Sequence, residues 1–139
     1  MFENILVAVD GSEHASKAAR MAGDLARQMQ SNLRVVIAFD PVPTYLGEPN
    51  LQRALDERFA SARQVLDETL PQIGEISGEL KTEVLEGPAA EAILAVIEAH
   101  SPDLVIMGTR GLGRLTGLLL GSQSQKVVSH APCPVLLVR

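Results

Sequence analysis

Residues 104–127 read LVIMGTRGLGRLTGLLLGSQSQKV and join two kinds of segment. Leu104–Met107 is a continuous apolar run of strand length, and the last residues turn polar and then apolar, as the start of a helix does. Between them stand five of the chain's eleven glycines, Gly108, Gly111, Gly113, Gly117 and Gly121, within fourteen residues. Glycine costs backbone entropy and weakens regular structure. Such a cluster therefore requires a backbone reason, either φ > 0 or the close approach of another group. A strand that passes through a glycine-rich bridge into a helix points to an anion site.

The same pattern extends outward. Asn4–Val9 (NILVAV), Leu33–Phe39 (LRVVIAF) and Val135–Val138 (VLLV) are further apolar runs, and Leu80–Leu85 (LKTEVL) alternates as a half-exposed edge strand would. Continuous runs indicate strands covered on both faces, the mark of a parallel α/β sheet. Ala15, Ala18, Ala19, Ala22, Leu25, Ala26 and Met29 keep a helical spacing, with Ser12 available as N-cap. Leu51, Leu55, Phe59, Ala62, Leu66 and Leu70 predict a second helix that Pro71 should stop. Ala89, Ala92, Ile93, Val96 and Ile97 predict a third behind Pro88. A fourth should open near Gly121–Ser122 and carry Val127, Val128 and Ala131 inward. The order β-α-β-α-β-α-β-α-β, without linker or repeat, predicts one domain over 1–139. The longest irregular segment, Asp40–Asn50 with three prolines, reads either as a lid or as a stiff connection.

Composition narrows the function classes. A net charge of −5 argues against a general nucleic-acid binder. Cys133, the only cysteine, excludes an internal disulfide or a thiolate zinc site and reads as a small buried residue. The opening MFENILVAVD carries Glu3 and no basic segment, so it does not read as a signal peptide, and no apolar run is long enough to span a bilayer. The expectation is a soluble cytoplasmic protein.

In open α/β sheets a ligand binds beyond the carboxyl ends of the strands, where the strand order reverses. An order of 3-2-1-4-5 would bring Asp10–Gly11–Ser12, after the first strand, opposite the glycine stretch after the fourth. In that setting Gly108 would keep the strand end clear for a ligand, and Gly111 would allow a tight turn. The start of the last helix at Gly121–Ser122 would offer free N–H groups to phosphate oxygens. Ser122 and Ser124 add hydroxyls, and Arg110 and Arg114 add positive charge. The P-loop pattern GxxxxGK[ST] is absent, and DGSEHA lacks the GxGxxG of the usual dinucleotide fold.

Gly108-x2-Gly111-x9-Gly121-Ser122, the opening NILVAVDGSEHA and the ending SQSQKVVSHAPCPVLLVR together resemble the ATP-binding universal stress proteins over essentially the whole chain. The resemblance implies a five-stranded parallel, doubly wound, Rossmann-like sheet with helices on both faces and an ATP pocket. It implies that Asp10 contacts the nucleotide or its Mg²⁺, with Ala8 and Val9 beside the adenine and Phe39 near the base. Met107 and Gly108 would border adenine and ribose, while Gly111, Gly121, Ser122 and Gln123 would hold ribose and phosphates. The family commonly has a small apolar residue where Gln123 stands. ADP, AMP and a cyclic nucleotide remain open beside ATP. A homodimer through the C-terminal strand is also implied, and the apolar edge VLLV supports it independently.

Catalysis has less support. Asp10 could hold Mg²⁺, but no base accompanies it. His14 reads as a solvated helix residue, and His100 and His130 as cations suited to helix C-termini. The expectation is a regulatory nucleotide-binding module. The alternatives are a slow ATPase or self-phosphorylating enzyme, with Ser122 or Ser124 as acceptor, and a nucleotide-free dimeric interaction protein.

Overall fold

The computed structural model describes residues 1–110 and 120–139. Gly111, Gly113, Arg114 and Gly117 lie outside the described residues, and so do the roles expected of Gly111 and Arg114. Five parallel strands, β1 (Asn4–Val9), β2 (Asn32–Phe39), β3 (Leu80–Glu86), β4 (Leu104–Gly108) and β5 (Val135–Val138), form one sheet in the order β3-β2-β1-β4-β5. The expected strand order is the observed one.

Alternation along the strands divides the core. Ile5, Val7 and Val9 of β1 face one side with Leu33, Val35 and Ile37 of β2, under α1 (Glu13–Met29) and α2 (Asn50–Ile73). Leu6, Ala8 and Val36 face the other, under α3 (Ala89–His100) and α4 (Ser122–His130). Both faces are covered, which is why β1 and β4 read as unbroken apolar runs. Helix α1 presents Ala15, Ala18, Ala19, Ala22 and Ala26, all buried, and such small side chains let it lie close on β1 and β4. Ser12 caps α1 as its sequence position predicts, its hydroxyl accepting from Ala15 N–H at 3.2 Å.

Three helical expectations need correction. Pro71 does not stop α2, which runs to Ile73. Pro71 is exposed, so the missing backbone bond faces water, while fully buried Ile73 anchors the last turn. Phe59 is 51% exposed, since the burial of α2 comes from Ala62, Leu66, Thr69 and Ile73 in its later turns. Val128 is likewise exposed; Val127 alone on α4 is a fully buried apolar anchor, and Ala131 is partly buried. Among the described residues no helix is long and apolar enough to cross a membrane.

The two helices of the first layer meet at Gly23, where a Cβ would collide with the Ile73 carbonyl oxygen and stand 3.1 Å from Ile73 Cα. Gly23→Ala gains about 1 kcal/mol in helix propensity. Overpacking against fixed backbone costs about 1–3 kcal/mol. The expected outcome is net destabilisation, measured as a lower urea midpoint with an unchanged slope.

Candidate nucleotide site

The topology reverses between β1 and β4, and there the carboxyl ends of three strands open into a cavity of about 350 Å³. Its first wall is the turn after β1. Asp10 Oδ1 accepts from Ser12 N–H at 2.9 Å, forming an Asx-turn around Gly11, whose φ of 85° suits glycine. Asp10 thus shapes this turn and borders the cavity as well.

The second wall is the end of β4, organised by buried Thr109. Its N–H donates to the Val138 carbonyl at 2.9 Å, and its carbonyl accepts from Gly121 N–H at 2.6 Å. Its hydroxyl shares a 2.8 Å hydrogen bond with His14 Nδ1. The residues flanking the glycine-rich stretch are therefore held together by a backbone bond. His14 is half-buried and engaged with Thr109, which corrects its reading as a solvated residue.

Gly108 also needs a different reason from the one its position suggested. A Cβ there would lie 2.8 Å from His14 Cβ and 3.1 Å from Ala15 N. The first turn of α1 by itself requires this glycine, whatever ligand approaches the strand end. Gly121 precedes α4 with φ −67° and ψ 158°, an ordinary extended geometry, and among the described residues no side chain caps that helix. The exposed Ser122 borders the cavity beside it. Ser124 turns inward and donates its hydroxyl to the Gly108 carbonyl at 2.8 Å, so that proton is committed to the fold. Gln123 Oε1 accepts from Ala90 N–H at 2.8 Å, at the start of α3.

Of the residues expected at the site, Ala8, Val9, Asp10, Met107, Gly108 and Arg110 border this cavity, together with Gly121, Ser122, Gln123 and Ser124. Phe39 does not. The two-residue period of β2 turns it to the α1–α2 core, and Val36 and Ala38 reach the cavity instead. Ala89 and Ile93 of α3 and Asp40 complete the wall, none of them expected from the sequence. The signal for Ala38 is present in the sequence: it is a small residue, like Ala8, near the end of a strand and directly after the run Val35-Val36-Ile37. Ala8, Ala38, Ala89, Val36, Ile93 and Met107 form a mainly apolar half with room for a flat ring. Asp10, Arg110, Ser122 and the uncapped start of α4 form a polar half.

The Asp40–Asn50 connection is tied down at its start. Arg58 Nη1 donates to the carbonyls of Asp40 at 2.6 Å and Pro41 at 3.1 Å, and Val42 is buried. Among the described residues no group of three His, Cys, Asp or Glu side chains could hold a metal ion. A smaller cleft of about 200 Å³ lies at the opposite ends of the strands. Its cations Arg34 and Lys81 pair there with Glu83 and Glu79 at 3.5 and 3.3 Å.

Two measurements follow from these contacts. Gly108→Ala is expected to lower the stability of the ligand-free protein by about 1–3 kcal/mol through the clash with α1. A glycine needed only by a ligand would leave that value unchanged. Cys133 is partly buried beside the second core, and burial, then the Asp103 charge, push its thiol above the ordinary range, against a smaller opposing effect of a backbone hydrogen bond. Less of it is thiolate at a given pH, so iodoacetamide should label it more slowly at mildly alkaline pH than it labels a free cysteine peptide.

Comparison with known proteins agrees with this architecture. The model of the Universal stress protein family matches residues 1–139. A universal stress protein of Thermus aquaticus, encoded in a sulfhydrylase 3′ region, is 49% identical over the full length of both chains. The structure of the universal stress protein UspA from Lactobacillus plantarum is 31% identical, with a TM-score of 0.88 over 99% of this chain and 98% of that one. A universal stress protein solved in complex with cAMP shares the fold, at 22% identity and a TM-score of 0.72 over 99% of this chain and 97% of that one.

Proposed function

This chain belongs to the universal stress protein family, and from that premise we propose that it is a cytoplasmic regulatory module that binds an adenine nucleotide, ATP with Mg²⁺ or its shorter forms ADP and AMP. The observation that carries the reading is the division of one cavity into a mainly apolar half and an uncapped helix start. The ring would lie between Ala8, Ala38, Ile93 and Met107. The phosphates would run toward the N–H groups of Ser122 and Gln123, where the positive end of the α4 dipole favours them.

The chemistry of the donors fits this ligand. Ser122 is exposed and its hydroxyl has no partner among the described residues, whereas the Ser124 proton is held by Gly108. Arg110 brings positive charge to the cavity of a chain with net charge −5, and Asp10 would be the carboxylate that meets nucleotide-bound Mg²⁺. Two universal stress proteins of this fold are solved in complex with adenine nucleotides, cAMP and dAMP, which favours adenine here. The reading stops at binding: His14 is not among the residues that border the cavity, and its Nδ1 pairs with Thr109.

The proposal is tested by denaturing the purified protein, identifying any released nucleotide by chromatography, and titrating emptied protein with Mg–ATP, ADP and AMP by calorimetry. Saturation at a hundred times Kd should add about 2.7 kcal/mol to stability and raise Tm accordingly. Gly121→Val should abolish binding while preserving the far-ultraviolet dichroism. No released nucleotide and no binding heat with any of the three would end the proposal.

The assembly we propose is a homodimer through β5, whose Val135–Val138 forms one edge of the sheet with three of its four residues only partly buried. Sedimentation equilibrium at micromolar concentration should return twice the chain mass; a monomer would refute it.

A further inference from the structure

Gln123 makes a contact that its place in α4 does not require. Helix α3 begins at Ala89 behind Pro88, which supplies no side-chain cap, although the first turn of a helix leaves N–H groups without partners. The Ala90 N–H is satisfied from another helix, by Gln123 Oε1 at 2.8 Å, 33 residues along the chain. An amide oxygen can accept here and an amide nitrogen cannot, so this bond sets which way the Gln123 amide faces. The backbone N–H of Gln123 meanwhile belongs to the first turn of α4, which borders the polar half of the cavity. Ala89 and Ile93, on the turns that Gln123 caps, border the apolar half. One residue therefore joins the two halves.

We propose that Gln123 is a positioning residue that couples the phosphate-binding turn of α4 to the first turn of α3, so that a nucleotide held at α4 draws α3 closed beside its ring. The inference rests on the nucleotide-binding reading above and adds a specific consequence to it. Ala90 is fully buried while Gln123 is only half-buried, so in the free protein the cap is lost when the Gln123 side chain swings out and the first turn of α3 opens locally. A phosphate that engages the Gln123 N–H immobilises its backbone. The side chain then forms its bond to Ala90 with less freedom left to lose, and the two contacts reinforce each other. By reciprocity, a stronger cap on α3 must favour the nucleotide by the same factor. A ring seated against Ala89 and Ile93 also opposes that local opening. A Val or Ala at position 123 would have no such link.

The test is residue-resolved hydrogen exchange at Ala90 in the full chain, with and without saturating Mg–ATP, on wild type, Gln123→Ala and Gln123→Glu. In wild type, Mg–ATP should slow exchange at Ala90 about tenfold. In Gln123→Ala, binding should weaken by roughly three- to tenfold, and saturating Mg–ATP should no longer slow exchange at Ala90. In Gln123→Glu the carboxylate still accepts from Ala90 N–H, so exchange in the free protein should stay as slow as in wild type. Its added negative charge beside the phosphates should weaken Mg–ATP about tenfold. Equal protection of Ala90 by Mg–ATP in wild type and Gln123→Ala overturns the coupling. So does binding heat in wild type without any change at Ala90. No binding heat in wild type at all removes the nucleotide reading itself, and the coupling with it.

Discussion

The descent of the first turn of α1 onto the end of β4 is the contact from which the rest of the site is built. Gly108 has no side chain, and His14 and Ala15 occupy the space that a Cβ would need. Because the helix comes this close, His14 reaches the Thr109 hydroxyl. Thr109 in turn holds Gly121 with its carbonyl and Val138 with its N–H, and Ser124 returns to the Gly108 carbonyl. Five backbone and side-chain groups from α1, β4, β5 and the start of α4 thus converge within two residues. Interiors packed to crystal-like density tolerate no added atom at such a point, which is why a single hydrogen-to-methyl change there reaches so far.

The same arrangement separates polar groups that serve the fold from those left for a ligand. Ser12, Ser124 and the Gln123 amide have partners inside the protein, each satisfying a group that would otherwise be desolvated without a bond. Among the described residues the start of α4 has no side-chain cap, and Ser122 is exposed beside it. Asp10 and Asp40 border the cavity with Arg110 as its described cation, so an anionic ligand would enter a site whose attraction comes largely from oriented backbone dipoles. Such a site reads the direction of N–H groups more than net charge. It can therefore operate in an acidic chain.

The fold was readable because its evidence is periodic. Unbroken apolar runs at β1 and β4 and the alanine stripe of α1 each report local burial and are found where the sequence places them; β3 lies at the sheet edge as expected, although its burial does not alternate. The errors arose where a distant partner decides the outcome. Pro71 looked like a stop because a ring inside a helix is costly, but Ile73 packs into the core and the helix follows it. Phe59 looked buried because it fits the spacing, yet the first turns of α2 have little packed over them. Phe39 belongs to a strand that was placed correctly, but which of two successive residues faces a cavity depends on what covers each side of the sheet.

By itself the sequence determined the family and the order of the elements, because these depend on local patterns and on motif spacing within the chain. Only the tertiary structure decided that Gly108 makes room for a helix, that His14 belongs to Thr109, and that Gln123 caps α3. Those contacts join residues 33 and 95 positions apart. Neither propensity nor periodicity carries information across such a separation, so the assignments wait on packing.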